Sequence, residues 1–275
     1  MTSPVAKKRF GQHFLEEPWA RKVVEAIAPT PTDTVLEIGP GPGAITRPLA
    51  ARVRALLACE IDRDLAAAMR ADSPSNVRVL EQDVLTTSAN SLRQALGEEL
   101  PAGTSLRVAG NLPYNIASPI LFHLVALCDE GLPIQDATVM LQREVADRLL
   151  AQPGTREYGV LSVLIGHRAH VSPRLQLPPG AFRPPPKVRS SVVQLRFHPP
   201  TPAVQNPARL AEVVQAIFSR RRKQLGNALQ AFRGFTADEA VATLDAAAIA
   251  ADRRPETLSI PECCRLADAT HTRRP

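Results

Sequence analysis

Short apolar runs alternate with helix-like patterns over the first half of the chain. Apolar runs without polar alternation are typical of strands that are buried on both faces, and apolar residues spaced three or four apart indicate amphipathic helices. The predicted strands are Val35–Ile38, Ala55–Glu60, Val77–Leu80, Leu106–Ala109 and Ala137–Leu141, and the predicted helices are Ala44–Arg54, Arg63–Arg70, Pro119–Cys128 and Arg143–Leu150. This βαβ rhythm predicts an α/β domain with a mostly parallel sheet and helices on both faces.

Proline marks the end of this first pattern. The segment 173–186 is rich in proline, strand-like alternation returns over Ser190–Phe197, and His198–Pro202 has the composition of a linker. The helix-like patterns beyond it, and the two prolines that interrupt the tail, are Ala208–Phe218, Arg221–Phe232, Ala237–Ile249, Pro255 and Pro261. We therefore expect one domain over residues 1–200 and a small helical domain over residues 201–275.

A glycine-rich turn follows the first predicted strand, where the sequence reads VLEIGPGPGA. Glycine lets the backbone approach a ligand closely where a side chain would clash. Gly39, Gly41 and Ala44 also satisfy the dinucleotide pattern G-x-G-x-x-G/A. Glu60, at the end of the next strand, is placed to accept hydrogen bonds from ribose hydroxyls. Nicotinamide and S-adenosylmethionine proteins share both features, so these features alone leave both cofactors open.

Two further strand ends favour S-adenosylmethionine. Asp83 follows the third strand, where its carboxylate could receive the amino group of a bound adenine. The fourth strand runs into Asn111-Leu112-Pro113-Tyr114, which is a side-chain amide, a backbone held extended by proline, and an aromatic ring. Asn111 and the Leu112 carbonyl can accept the two N–H bonds of an exocyclic amine while Tyr114 covers the base. A hydride-transfer enzyme has no evident use for this motif, and the target that it indicates is the amino group of an adenine.

Positive charge is concentrated in one part of the chain. The formal net charge is +6, and the 54 residues from 158 to 211 contain seven Lys or Arg and neither Asp nor Glu. A second cluster, Arg220–Lys223, follows soon after. Solvated surface charge would explain either cluster by itself, but it does not explain so long a stretch without an acid. A concentrated positive field favours a polyanion, so we expect nucleic acid as the partner.

Several protein classes are excluded by composition. The chain is 44% hydrophobic, as expected of a globular protein, but it contains no apolar run of membrane-spanning length and no apolar signal core at the N-terminus. Its four cysteines show neither metal-ligand spacing nor a disulfide framework. We expect a cytoplasmic protein without a metal or a membrane span. Nothing in the sequence demands an oligomer, so a monomer is expected.

These motifs together resemble the ribosomal RNA adenine-N6 dimethyltransferases of the KsgA type. The similarity spans nearly the whole chain and includes further distinctive strings at Lys8–Leu15, Leu141–Ala146, Tyr158–Val163 and Phe182–Val188. The resemblance implies a Rossmann-like S-adenosylmethionine-dependent methyltransferase domain followed by a small α-helical RNA-binding domain. It also implies transfer of methyl groups to N6 of two adjacent adenines, in a hairpin near the 3′ end of 16S small-subunit ribosomal RNA, as a step in ribosome biogenesis.

The resemblance also implies roles for individual residues. The implied cofactor contacts are His13, Leu15, Gly39, Gly41, Glu60, Asp83 and Asn111. The implied catalytic residues are Asn111, Leu112, Pro113 and Tyr114, with Phe182 stacking on the target base opposite Tyr114. The expected RNA contacts are Lys7, Lys8, Arg9, Arg183, Lys187, Arg220, Arg221, Arg222 and Lys223. Gly226 stands where relatives typically carry a cation and lowers helix stability by about 1 kcal/mol relative to alanine, while Arg220 offers a substitute charge.

Two alternatives stay open at this point. Relatives that confer macrolide resistance methylate an adenine of the large-subunit RNA, and they usually carry Ile at the position of Leu112. A non-catalytic ribosome-assembly or RNA-binding factor with a vestigial methyltransferase fold is the other alternative. The intact cofactor positions argue against lost catalysis, and the helical C-terminal domain favours the small-subunit enzymes.

Overall fold

The computed structural model describes residues 13–97, 100–101 and 103–271. The predicted RNA contacts Lys7, Lys8 and Arg9 therefore lie outside the described residues. The chain divides into two compact units. The first extends to residue 146 and also takes residues 171–197, and the second comprises residues 147–170 and the chain from 198 onward.

A seven-stranded sheet with the order β4-β3-β2-β5-β6-β9-β7 forms the first unit, and β1 and β8 form a separate antiparallel pair. Strands β2 to β6 pair in parallel, whereas β9 runs antiparallel to β6. In chain order the strands are β1 Phe14–Leu15, β2 Thr34–Ile38, β3 Ala55–Glu60, β4 Val77–Glu81, β5 Leu106–Asn111, β6 Ile134–Gln142, β7 Ala169–Leu177, β8 Phe182–Arg183 and β9 Ser190–Phe197. The strand order reverses between β2 and β5, so their carboxyl ends form the crevice where open α/β sheets bind ligands.

The helices lie between these strands and in the second unit. In chain order they are α1 Glu17–Ile27, α2 Thr46–Ala50, α3 Arg63–Ala71, α4 Ala89–Leu96, α5 Ala117–Asp129, α6 Arg143–Leu150, α7 Val160–Gly166, α8 Pro207–Ser219, α9 Leu225–Ala228, α10 Ala237–Ala246 and α11 Ile260–His271. All five predicted strands are confirmed to within a few residues. The predicted helix over 44–54 is much shorter in the structure because turns precede and follow α2, the first containing Gly43 at a φ of +88°.

Three strands are missing from the sequence-based prediction: the two-residue strands β1 and β8, and the longer β7. Residues 169–177 form β7 although Pro173 lies in its middle. Proline lacks the N–H that a central strand must donate, so it indicates against a strand unless the strand lies at a sheet edge. Here β7 is the last strand in the sheet order, and an edge strand is a position where proline is tolerated.

The second unit has its own apolar core. Tyr158 and Val163 are buried in the same cluster as Val213 and Leu244. The sequence-based boundary at residue 200 assigns the segment 147–170 to the first domain, and the structure corrects this. The segment groups with the second unit because its apolar side chains complete that unit's core.

Two other predictions for this unit are wrong in detail. The pattern over 221–232 is not one helix but a turn, the short α9 and a 3₁₀ turn, because the extended backbone of Gln224 separates α9 from the residues before it. Pro261 does not interrupt the tail: it lies in the first turn of α11, where a proline costs no helical hydrogen bond.

A buried arginine fixes the end of the sheet opposite the crevice. Arg107, near the start of β5, donates to both carboxylate oxygens of Asp136 at 3.0 Å and to Asp33 at 2.8 Å. Its remaining donors reach the carbonyls of Ala28 at 3.0 Å and Ile27 at 2.7 Å. The guanidinium therefore ties the end of α1 and its following loop to β5 and β6.

Candidate active site

The glycine turn and Glu60 form one rigid element at the ends of β2 and β3. Gly39 and Gly41 have φ values of +65° and +57°, in the left-handed region that favours glycine. The Gly41 N–H donates to one oxygen of Glu60 at 3.0 Å, and the Asp62 N–H donates to the other at 2.8 Å. Burial raises the pKa of Glu60, and these two hydrogen bonds oppose that rise. The carboxylate is thus held in one orientation beside the turn.

Asp83 follows β4, on the neighbouring strand. One of its oxygens accepts the Leu85 N–H at 3.0 Å and caps a 3₁₀ turn over Val84–Thr86. The nearby thiol of Cys59 has its pKa raised to about 12 by burial and by the charges of Glu60 and Asp83. Cys59 is therefore a neutral thiol at neutral pH and does not act as a nucleophile.

A buried acid beneath the turn was not predicted to be functional. Glu37 on β2 is 1% exposed, and its Oε2 has no hydrogen-bond partner among the described residues. Burial, followed by the charge of Glu60, raises the pKa of Glu37 to about 8, so the group is mostly protonated at neutral pH. The sequence does carry a signal here, because Glu37 is the one charged residue in the apolar run VLEI.

The Asn-Leu-Pro-Tyr segment leaves β5 at the same edge of the sheet. The Asn111 side-chain N–H₂ donates to the His13 carbonyl at 3.0 Å, which assigns Oδ1 as the remaining acceptor of that amide. The Leu112 N–H donates to the Met140 carbonyl at 3.1 Å and fixes the segment to β6. The Tyr114 hydroxyl and the Ser190 hydroxyl are 2.6 Å apart, so the phenol is anchored at its tip.

One pocket brings these elements together, and it contains every residue predicted to contact the cofactor. Besides these, Phe14, Glu37, Ile61 and Val84 line it. The predicted residues in its wall are His13, Leu15, Gly39, Gly41, Glu60, Asp83, Asn111, Leu112, Pro113 and Tyr114. The two carboxylates suit the hydroxyls of S-adenosylmethionine, and the apolar side chains beside them suit its flat base. The left-handed glycine turn allows the close backbone approach that this cofactor requires. A Cβ added at Gly41 would lie 3.7 Å from the Phe14 ring, and it would occupy space beside that ring that the glycine leaves open.

Comparison with known proteins identifies the family. A family model described as ribosomal RNA adenine dimethylase matches residues 5–268. The chain belongs to this family. The predicted Rossmann-like methyltransferase fold and the predicted enzyme class, an S-adenosylmethionine-dependent rRNA adenine dimethyltransferase, are thereby confirmed.

Individual members of the family match over nearly their full length. The chain is 43% identical to "Ribosomal RNA small subunit methyltransferase A" of Bordetella petrii, over 98% of this chain and 97% of the relative. A protein of the same name from Acinetobacter baylyi is 42% identical over 96% and 92%. A dimethyladenosine transferase from Plasmodium falciparum shares the fold, with a TM-score of 0.74 at 22% identity, over 92% of this chain and 96% of that one. The 23S rRNA methyltransferase ErmE aligns with a TM-score of 0.63 at 26% identity, over 94% and 100%.

Phe182, which the family resemblance placed opposite Tyr114, is buried in the structure. It is 1% exposed and belongs to the core cluster that includes Leu15 and Leu177, and it does not line the pocket. Its backbone pairs with Leu15 in the β1–β8 ribbon, which directs the ring into the core. The structure thus does not bring Phe182 and Tyr114 together around a base.

The predicted RNA contacts of this family member are distributed over both units. In the first unit, Lys187 is exposed, and the Arg183 side chain, also exposed, forms an ion pair with Glu16. In the second unit, one open concavity is lined by Ser219, Arg220, Arg221, Arg222, Lys223, Asn227 and Gln230.

Arg221 is partly engaged within its own unit. Its guanidinium donates to the Thr155 carbonyl at 3.0 Å and approaches the Glu256 carboxylate at 3.9 Å. Arg222 and Lys223 are both exposed, so they present their charges to solvent. The Gly226 N–H donates to the Ala251 carbonyl at 3.0 Å, which fixes the glycine against that loop.

Within the part of the chain that the structure describes, no group of three or more His, Cys, Asp or Glu side chains is placed to hold a metal ion. None of the described helices has both the length and the apolar character needed to cross a membrane.

Proposed function

We propose that this enzyme methylates N6 of two adjacent adenines in a hairpin near the 3′ end of small-subunit ribosomal RNA, giving N6,N6-dimethyladenosine. One observation supports the chemistry above the others: the Asn-Leu-Pro-Tyr segment opens into the same pocket as Glu60 and Asp83. An acceptor site for an amine therefore adjoins a site suited to an adenosyl group. The choice of subunit rests on relatives at 40–46% identity whose name specifies the small subunit.

We assign the cofactor positions by the chemistry of each side chain. Glu60 accepts hydrogen bonds from the ribose hydroxyls, and the second oxygen of Asp83 accepts the adenine amino group. Ile61 is 49% exposed although it lines the pocket, so an adenine ring can cover it. His13, Leu15, Gly39 and Gly41 complete the wall. S-adenosylmethionine, when bound, supplies a methyl group on a positively charged sulfur.

The acceptor side of the pocket must orient the adenine N6 amine, which is a poor nucleophile. The lone pair of the adenine amine is delocalised into the ring, and the base is unreachable while it is stacked in RNA. Tyr114 stacks on the extruded base, whose release from the RNA helix costs a few kcal/mol. The Asn111 Oδ1 and the Leu112 carbonyl accept the two N6 hydrogens, which favours a tetrahedral nitrogen with its lone pair aimed at the methyl group.

Transfer then depends mainly on orientation and the exclusion of water. A general base is not required, because a methylated ammonium on adenine loses its proton readily. Attack of an amine on a sulfonium methyl group likewise needs no metal. Tyr114 does not supply a base, since burial raises the pKa of its phenol and only the Ser190 hydroxyl opposes that rise.

The remaining parts of the proposal concern partners. Arg222, Lys223 and Lys187, which are exposed, contact the phosphate backbone of the small-subunit RNA, with Arg183 and Arg220 beside them. The segment Lys7–Arg9 adds further phosphate contacts. The enzyme acts as a monomer in the cytoplasm on the assembling small subunit.

Nucleoside analysis tests this function directly. Purified enzyme and S-adenosylmethionine are incubated with small subunits that lack the two dimethyladenosines, and the digested RNA is analysed by mass spectrometry. We expect two dimethyladenosines per subunit. Asn111→Ala should abolish the product while cofactor binding, measured by calorimetry, largely survives. Full turnover by that variant contradicts the amine contact, and a methylated nucleoside other than dimethyladenosine contradicts the proposed reaction.

A further inference from the structure

The side chain of His13 touches the acceptor machinery in a way that cofactor binding does not explain. Its imidazole ring lies over the ring of Tyr114, with centroids 5.6 Å apart and planes at 26°. Its Nδ1 is 2.8 Å from the carbonyl of Pro184, in the loop that follows β8. The backbone carbonyl of the same residue accepts the N–H₂ of Asn111 at 3.0 Å.

The hydrogen bond to Pro184 fixes which way the imidazole faces. A carbonyl can only accept, so Nδ1 carries the hydrogen and donates it. The ring is therefore held at its edge by one loop while its face rests on Tyr114. Tyr114 in turn is held at its hydroxyl by Ser190 at 2.6 Å and on one face by the imidazole.

We propose that the imidazole of His13 is a positioning residue for the target adenine: it supports one face of Tyr114 so that the base stacks on the other. The inference rests on the proposed function, because it assumes that Tyr114 receives a base. When the orientation of the Tyr114 ring is fixed before the base arrives, the ring loses little freedom on binding. A larger fraction of bound bases is then aligned for transfer. The His13 backbone carbonyl orients Asn111 at the same time, so one residue contacts both Tyr114 and Asn111.

Phe182 adds to the reason for assigning this role to His13. The ring expected opposite Tyr114 is buried in the core, and the aromatic ring that the structure does place against Tyr114 is the imidazole.

Two substitutions distinguish the contribution of the His13 ring from that of its hydrogen bond to Pro184. His13→Phe retains an aromatic ring and loses the donor to Pro184, whereas His13→Asn retains a donor and loses the ring. Both keep the backbone carbonyl that Asn111 uses. His170→Asn, at an exposed position of β7, is the matched control for the substitution itself. Single-turnover methyl transfer to undermethylated small subunits and cofactor affinity by calorimetry are measured for all four proteins.

We expect His13→Asn to slow single-turnover transfer at saturating S-adenosylmethionine by roughly two- to tenfold, the range that an aromatic pair contributes. His13→Phe, which keeps a ring against Tyr114, should be slowed less than His13→Asn under the same conditions. Slowing of His13→Phe that equals or exceeds that of His13→Asn would show that the ring does not set the rate, and would overturn the proposal. Faster transfer by His13→Asn would overturn it too, because the ring would then be blocking the base. Slowing of His13→Asn that disappears when S-adenosylmethionine is saturating would reduce His13 to a cofactor contact and overturn the proposal.

A second readout needs no RNA. The chain has two tyrosines, so ring-labelled tyrosine gives two sets of NMR signals, and Tyr158→Phe assigns them. The Tyr114 signals should move in His13→Asn and stay in His170→Asn; unmoved signals in His13→Asn contradict the ring contact. If the wild type transfers no methyl group to small subunits, the proposed function fails while this measurement still reports on the contact.

Discussion

Replacing Glu37 by Gln should make the protein more stable at alkaline pH, and the pocket explains why. Burial raises the pKa of this acid to about 8 from an ordinary value of 4.5. Between those values the folded protein holds a proton that the unfolded chain releases, so the stability of the wild type falls as pH rises from about 4.5 to 8 and then levels off. Glutamine has nearly the same shape and no charge, so the variant lacks this loss.

The size of the effect follows from the shift. Each pKa unit corresponds to about 1.4 kcal/mol, so ionising this buried acid costs on the order of 4–5 kcal/mol above pH 8. The difference in free energy of unfolding between variant and wild type should grow by that order from pH 5 to pH 9. Urea unfolding at one-unit intervals of pH measures it, with equal m-values as the condition for comparing midpoints.

Glu25→Gln, an exposed position on α1, is the matched control. The difference in free energy of unfolding between this variant and the wild type should vary little over the same pH range. If the Glu37→Gln difference is also constant with pH, Glu37 does not carry a proton in the folded protein, and the account of a neutral acid beneath the glycine turn is wrong.

Four further outcomes can be checked. Tyr114→Ala should slow single-turnover transfer by roughly ten- to a hundredfold, while Tyr114→Phe, which keeps the ring and loses the hydroxyl contact, should be much less affected. Gly110→Ala places a Cβ 2.5 Å from a main-chain oxygen of β2 and should lower the free energy of unfolding by more than about 2 kcal/mol in urea titrations. Arg107→Ala removes the cation that pairs with buried Asp136 and partly buried Asp33, and should cost about 3–5 kcal/mol in the same assay. Changing Arg222 and Lys223 together to Ala should weaken small-subunit binding and reduce its log–log salt slope by about one to two, with stability unchanged.

Much of the fold was predictable because its signals are local. Continuous apolar runs identify buried parallel strands, and polar residues at their carboxyl ends meet at one edge of the sheet. That reasoning located Glu60, Asp83 and Asn111, which share a pocket in the structure. The strand over 169–177 escaped because Pro173 is compatible with a strand only at a sheet edge, and position in a sheet is not a local property.

The remaining features depend on packing between distant segments. Phe182 is buried because β8 pairs with β1, more than 160 residues earlier in the chain. Nor does the sequence show that Arg221 turns toward Thr155 whereas Arg222 does not, since all members of a basic run look alike. The neutral state of Glu37 arises from burial and from Glu60 on the adjacent strand, neither of which can be read from the run VLEI alone.

Labelled methyl transfer tests the central claim most directly. Tritiated S-adenosylmethionine is incubated with undermethylated small subunits, with large subunits, and with small subunits plus the Glu60→Ala variant. The account predicts label only in small-subunit RNA, with two methyl groups on each of two adenines, and loss of label in the variant. Label in large-subunit RNA would contradict the assignment of the substrate, and tight binding of small subunits without label would contradict catalysis.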